Sequence, residues 1–182
     1  MARFNDSERA ARVILELIRQ ANGNSIEGKT RLFKAFYFAH LYYALDNSDY
    51  LTEWPIVRMP NGPGIDSFDD LMAQLVQEDL IEIQPCMTGP YKSSRYVAKP
   101  TASKQQELSP PEIAAISKAV GYVTDKSCTD LSEITHEHSK TWNDCKNGEE
   151  LPIYLDLLSD SDYKAAKAEV DRGGEALHDA WS

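Results

Sequence analysis

Much of what this 182-residue chain can do is narrowed by what it lacks. No apolar run approaches the roughly 20 residues needed to cross a bilayer, so no membrane-spanning helix is expected. The opening Met1-Ala2-Arg3-Phe4-Asn5-Asp6 has no apolar core of the kind a secretory leader carries. Cysteine is scarce: Cys86, Cys128 and Cys145 are odd in number and widely spaced, with no paired metal-ligand motif. Together these point to a cytoplasmic protein with reduced thiols. There is no Gly-x-x-x-x-Gly-Lys loop, and in Gly62-Pro63-Gly64 the proline removes a backbone N–H that a phosphate cradle would use. Internal repeats and low-complexity tracts are absent as well.

Positive charge is in short supply. The chain holds 19 Lys and Arg against 29 Asp and Glu, a formal net charge of −10. The imbalance is uneven: residues 1–106 carry 12 against 13, and residues 107–182 carry 7 against 16. Such a field repels phosphate and attracts basic surfaces, which favours a basic protein partner over a nucleic acid. Acidity that only keeps the protein soluble is the plainer alternative. What is present is ordinary: 42% apolar and 26% charged residues suit one ordered domain over residues 1–182 with a single core.

Residues 6–21 read as a helix, with Val13, Ile14, Leu17, Ile18 and Ala21 on one stripe and Arg12, Glu16, Arg19 and Gln20 turned outward. Asn22-Gly23 should end it. A second helix, 27–45, is aromatic around most of its circumference and should be the central buried one, reaching solvent at Lys29, Arg31 and Lys34. Trp54–Met59 reads as a short strand, Asn61-Gly62-Pro63-Gly64 as a turn, and Asp66 as the cap of a third helix carrying Phe68, Leu71, Met72, Leu75 and Val76. Leu80–Ile83 and Tyr91–Val97 form a candidate hairpin, followed by a polar loop over Lys99–Gln106. Ser109-Pro110-Pro111-Glu112 is a helix start by its cap, its prolines and its glutamate. A further helix runs from Ser127–Asp130 to His138, Thr141–Cys145 adds a short turn, and Ser159–Ala180 is helix-prone with a break at Gly173-Gly174. The class is therefore α+β, mainly α-helical: about six helices with a small antiparallel hairpin, the N-terminal half winged-helix-like in outline.

The chemistry-bearing residues do not assemble into a reactive set. His136 and His138 on one helix point roughly 200° apart and cannot share a metal there. Cys128 near a helix start, with His136 or His138, lacks an oxyanion loop or a nucleophile motif. The pairs Asp69/Asp70 and Glu149/Glu150 suit a solvated face. Neither an enzyme nor a cofactor is expected. Structural use of Thr135 and His136, with Trp142 packed across the helix end, is the expected arrangement.

Three blocks carry a resemblance: Lys29 through His40, Asn61-Gly62-Pro63-Gly64, and Leu131-Ser132-Glu133-Ile134-Thr135-His136 with Trp142. In order and spacing they resemble the Panacea, or SocA-like antitoxin, domain, a phage-associated family, over residues 10–145. That family's turn usually reads Tyr-Gly-Pro-Val, and here Asn and Gly flank the Gly-Pro pair. Residues 146–182 lie outside the match as a helical extension. The resemblance implies an antitoxin of a type II toxin–antitoxin pair that binds a toxin encoded nearby, or an adaptor that delivers it to a protease complex. The candidate partner-binding residues are Lys34, Tyr37, Gly62, Pro63, His136 and Trp142, with Asp156, Asp160, Asp162 and Glu169 as an acidic rim for a basic toxin. The rival reading is a winged-helix DNA-binding regulator with Arg58, Lys92, Arg95 and Lys99 as a basic edge. Its third helix, however, has no Lys or Arg and carries Asp69, Asp70 and Glu78.

Overall fold

A computed structural model describes the backbone of residues 2–101 and 108–180. Helix α1 (Ala2–Gln20) lays Ala10, Val13, Ile14, Leu17 and Ile18 into the core. Glu16 is also enclosed, contrary to expectation, because Arg19 Nη1 (2.8 Å) and Gln20 Nε2 (2.7 Å) donate to its carboxylate. The helix stops at the expected place, where Gly23 and Asn24 take positive φ in a 3₁₀ turn. A short strand not foreseen, β1 (Ser25–Glu27), follows.

Helix α2 (Lys29–Asn47) is the central element, buried continuously from Leu32 to Tyr37 and again at Ala39–Leu41. Its most extensive packing is against α4 (Pro110–Thr124). The latter begins as its sequence predicts: the Ser109 N–H and hydroxyl both donate to Glu112 Oε2 at 2.6 Å. Glu112 also meets Arg9, so the same carboxylate ties α4 to α1.

Between α2 and α3 (Phe68–Gln77) lies a hairpin of β2 (Ile56–Met59) and β3 (Gly62–Ile65), paired Met59 with Gly62 through Ile56 with Ile65. The turn is Pro60-Asn61, so Gly62-Pro63-Gly64, read as a turn, is strand. Pro63 is tolerated there because a strand in a two-stranded hairpin has one unpaired edge. The cap of α3 is Ser67, at φ 45°, one residue beyond the expected Asp66. On α3 itself Phe68, Leu71, Met72 and Leu75 are buried and Val76 is exposed.

The second hairpin is longer than its apolar content suggests: β4 (Ile81–Thr88) and β5 (Tyr91–Ala98) pair along their whole length, with Pro85 opposite Ser94. Strand β1 pairs with β5, giving the order β1-β5-β4. Helix, strand, helix, helix and hairpin, with the first strand on the hairpin, is a winged-helix arrangement into which β2–β3 is inserted. Residues 102–106 of the expected polar loop lie outside the described residues.

The C-terminal part adds α5 (Cys128–His138), α6 (Lys140–Asp144), a 3₁₀ turn (Ile153–Leu157) and α7 (Asp160–Ala180). Helix α7 continues through Gly173-Gly174 rather than breaking. Each glycine weakens a helix by about 1 kcal/mol but still donates and accepts its hydrogen bonds. Among the described residues no helix is long and apolar enough to cross a membrane.

Gly121 sits in α4 with nothing within 4 Å of where a Cβ would stand. Gly121→Ala should therefore raise stability by about 0.5–1 kcal/mol, read as a higher urea midpoint.

Candidate functional site

The three sequence blocks converge on one buried polar junction. Lys34 projects from the second turn of α2 and is only 1% exposed, so the expectation that it faces solvent is overturned. Its Nζ donates to the carbonyls of Asn61 (2.6 Å) and Pro63 (3.2 Å) at the tip of the β2–β3 hairpin. No carboxylate pairs with it among the described ion pairs. Burial pushes the ammonium down to about 7, opposed by the Cys128 thiolate form.

Gly62 lies between this lysine and α5. Its φ is +101°, and a Cβ there would stand 2.5 Å from Thr135 Oγ1 and closer still to Lys34 Nζ. Only a glycine fits that conformation and that space. Thr135, also 1% exposed, turns its hydroxyl back onto α5, toward the carbonyls of Leu131 (3.1 Å) and Ser132 (3.0 Å).

Trp142 closes the outer side. Its Nε1 donates to the Met59 carbonyl at 2.8 Å, and Arg58 Nε returns a bond to the Trp142 carbonyl at 2.9 Å. The His136 ring stacks on the indole (centroids 4.0 Å apart, 14° between planes), and the Arg58 guanidinium lies 4.2 Å from it. Desolvation holds the His136 pKa below its ordinary value, helped by the Lys34 and Arg58 charges and opposed by the Pro60 carbonyl. His138, two residues on, is exposed beside Glu137, as the helical period requires.

Asp156 organises a second junction. Its carboxylate accepts from Tyr37 Oη (2.7 Å), Ser139 Oγ (2.7 Å), the Thr141 N–H (2.8 Å) and Thr141 Oγ1 (3.0 Å). Ser139 in turn caps α6 by accepting from the Trp142 N–H at 3.2 Å. Burial, reinforced by the neighbouring Asp156 charge, raises the Tyr37 phenol far above its usual pKa, so it remains a donor. Lys34 and Tyr37 are three apart on one helix and so share a face; both junctions therefore brace α2.

Of the six residues proposed as partner contacts, Lys34, Tyr37, Gly62 and Pro63 are buried, while His136 and Trp142 are half-buried. The first four lack the surface a contact needs, and their polar atoms are engaged internally. Asp156, expected on an acidic rim, is likewise turned inward as an acceptor. A signal for this was available: Asp156 is the lone charge in Leu151-Pro152-Ile153-Tyr154-Leu155-Asp156-Leu157-Leu158. A solitary carboxylate in an apolar run is usually bonded within the fold.

The basic edge imagined for DNA does not form. Arg58 belongs to the other hairpin, Arg95 pairs with Glu27 and Lys99 with Asp79, which leaves only Lys92 of the four exposed and without an ion pair among the described residues. Cys128 and His136 are eight residues apart on α5, about 12 Å along the axis, too far for a nucleophile and its base. Among the described residues no group of three or more His, Cys, Asp and Glu is placed to hold a metal.

The family described as "Antitoxin SocA-like, Panacea domain" matches residues 32–143. The chain belongs to this family. No curated protein and no solved structure matches it. The SocA-like segment contains Lys34, Tyr37, Gly62, Pro63, Thr135, His136 and Trp142, so both junctions are built mainly from family-matched sequence. Asp156 lies beyond that segment, yet it completes the Tyr37 junction.

Two measurements test these junctions. In Asp156→Ala, Tyr37, Ser139 and Thr141 lose their acceptor, so stability to urea should fall by about 2–3 kcal/mol, whereas Glu169→Ala on the exposed face should change little. Lys34 binds a proton less readily folded (about 7) than unfolded (10.5), so its contribution to stability should rise with pH across that window and be lost as pH falls through about 7. The stability difference between the wild type and Lys34→Met should thus shift in favour of the wild type by on the order of 2 kcal/mol from pH 7 to 9.5.

Proposed function

We propose that this chain is an antitoxin that neutralises a partner toxin by covering its surface, with no chemistry of its own. The observation that carries the reading is the fate of the signature polar residues. Lys34, Tyr37 and Thr135 are enclosed and bonded within the fold, which suits a scaffold for presenting a surface better than a reaction centre. Membership of the antitoxin family supplies the class of partner. The exposed Asp162 and Glu169, with Asp160 bridged to Lys140 at 3.0 Å, keep an acidic face on the C-terminal part that would steer a basic toxin. Three free cysteines accord with a reducing cytoplasm.

A DNA-binding role draws support only from the winged-helix order of elements. Asp69 and Asp70 in the first turn of α3 would meet the phosphate backbone with like charge. Co-expression with the product of the adjacent gene tests the proposal. Growth arrest by that product should be relieved by the chain, and the two should co-elute as a complex. Absence of both relief and complex refutes it.

A further inference from the structure

Beside the junctions lies a cleft that neither of them uses. It has a volume of about 440 Å³ and sits between the segment after α2 and Glu150–Leu155, the stretch that enters the 3₁₀ turn before α7. Its aromatic lining is Tyr50, Trp54 and Tyr154. Tyr50 is 54% exposed and meets Tyr154 edge-to-face at 4.4 Å. Trp54 is held in place because its Nε1 donates to the Asp66 carbonyl at 2.9 Å. Beneath them, His40 is fully enclosed, with Nδ1 2.8 Å from the Phe36 carbonyl and Nε2 3.0 Å from Thr52 Oγ1. The floor is therefore rigid. The Tyr154 hydroxyl is enclosed and has no hydrogen-bond partner among the described residues.

The charge of this cleft has one sign. Glu53 and Glu150 stand exposed at its mouth, and a neighbouring depression of about 320 Å³ shares both and adds Asp6 and Asp66. No Lys or Arg lines either hollow, and none of these four carboxylates forms an ion pair among the described residues. An exposed Tyr50 with half-buried Trp54 and Tyr154, beside carboxylates that no cation neutralises, suits a planar cation: a guanidinium stacks on a ring while its N–H fork reaches an acidic group. A lysine ammonium would gain the charge term without the stacking and bidentate fit.

We infer that this cleft receives an arginine side chain from a basic segment of the partner protein. The inference rests on the reading of the chain as a partner-binding antitoxin. It also places part of the recognition surface on Glu150–Leu155, outside the family-matched residues 32–143. A family could in this way keep one scaffold while each member varies the wall that meets its own toxin.

The probe is acetyl-Gly-Arg-Arg-Gly-amide, titrated into the full chain and followed by NMR at the Trp54 indole N–H and the amides of residues 150–155. Saturable shifts at those signals are expected. Affinity should weaken at least fivefold with Glu53→Gln/Glu150→Gln, and as much when citrulline replaces both arginines. Absence of shifts at the cleft, or equal binding of the citrulline peptide, overturns the inference. Co-expression separates it from the broader reading. If the wild type relieves toxicity and Tyr50→Ala/Glu53→Gln/Glu150→Gln relieves it equally, the cleft assignment fails while the antitoxin reading stands. If the wild type gives neither relief nor complex, the antitoxin reading fails, and the peptide titration still decides whether the cleft binds arginine.

Discussion

A lysine ammonium without a carboxylate, buried against the carbonyls of Asn61 and Pro63, is the constraint on which the surrounding architecture depends. Desolvating that charge is costly unless donors find acceptors, and the hairpin tip supplies them only if its backbone passes close to α2. That approach requires glycine at residue 62, and the space left above it is sealed by Thr135. The Arg58–Trp142–His136 stack then holds the hairpin against α5 and α6. Each of the three signature blocks is explained by its place in this sequence of contacts.

The polar residues that give the family its recognisable pattern are thus largely unavailable to a partner. This separates two properties that a sequence pattern tends to merge. A motif can mark what a fold needs in order to close, and the surface that meets other molecules can lie elsewhere, on residues free to vary. The cleft of Tyr50, Trp54 and Tyr154 lies apart from that pattern: Trp54 and Tyr154 pack against the core on one side, while Tyr50, Glu53 and Glu150 stay exposed.

The strongly periodic parts of the fold were legible in the sequence. Helix α1 ended at Asn22-Gly23, α2 was central and aromatic, and α4 began at the Ser109–Glu112 box, because apolar spacing and capping chemistry act locally. Strand β1 was missed because three residues carry too little periodicity, and its partner β5 lies 68 or more positions away. Gly62-Pro63-Gly64 was misread because residue types that favour turns here leave room for neighbours, Gly62 for Lys34 and Thr135 and Gly64 for the Met59 side chain. Lys34 and Asp156 were assigned to the surface by charge alone, and only tertiary contacts bring each to its partners. Burial of the His40 imidazole, driven down to about 4 by desolvation, was equally invisible to a local reading.

The position of Asp156 has a consequence for how the molecule is made. A ribosome that has just added Cys145 has already produced every recognisable block, including both histidines of α5 and the indole beyond them. The phenol of Tyr37 and the hydroxyls of Ser139 and Thr141 still await their common acceptor, which is encoded eleven codons later. A chain cut at the edge of the recognised segment would therefore keep the whole pattern and lack the group that finishes its interior. The unit in which the Tyr37 junction is complete is set by that late carboxylate, and it extends past the region by which the family is known.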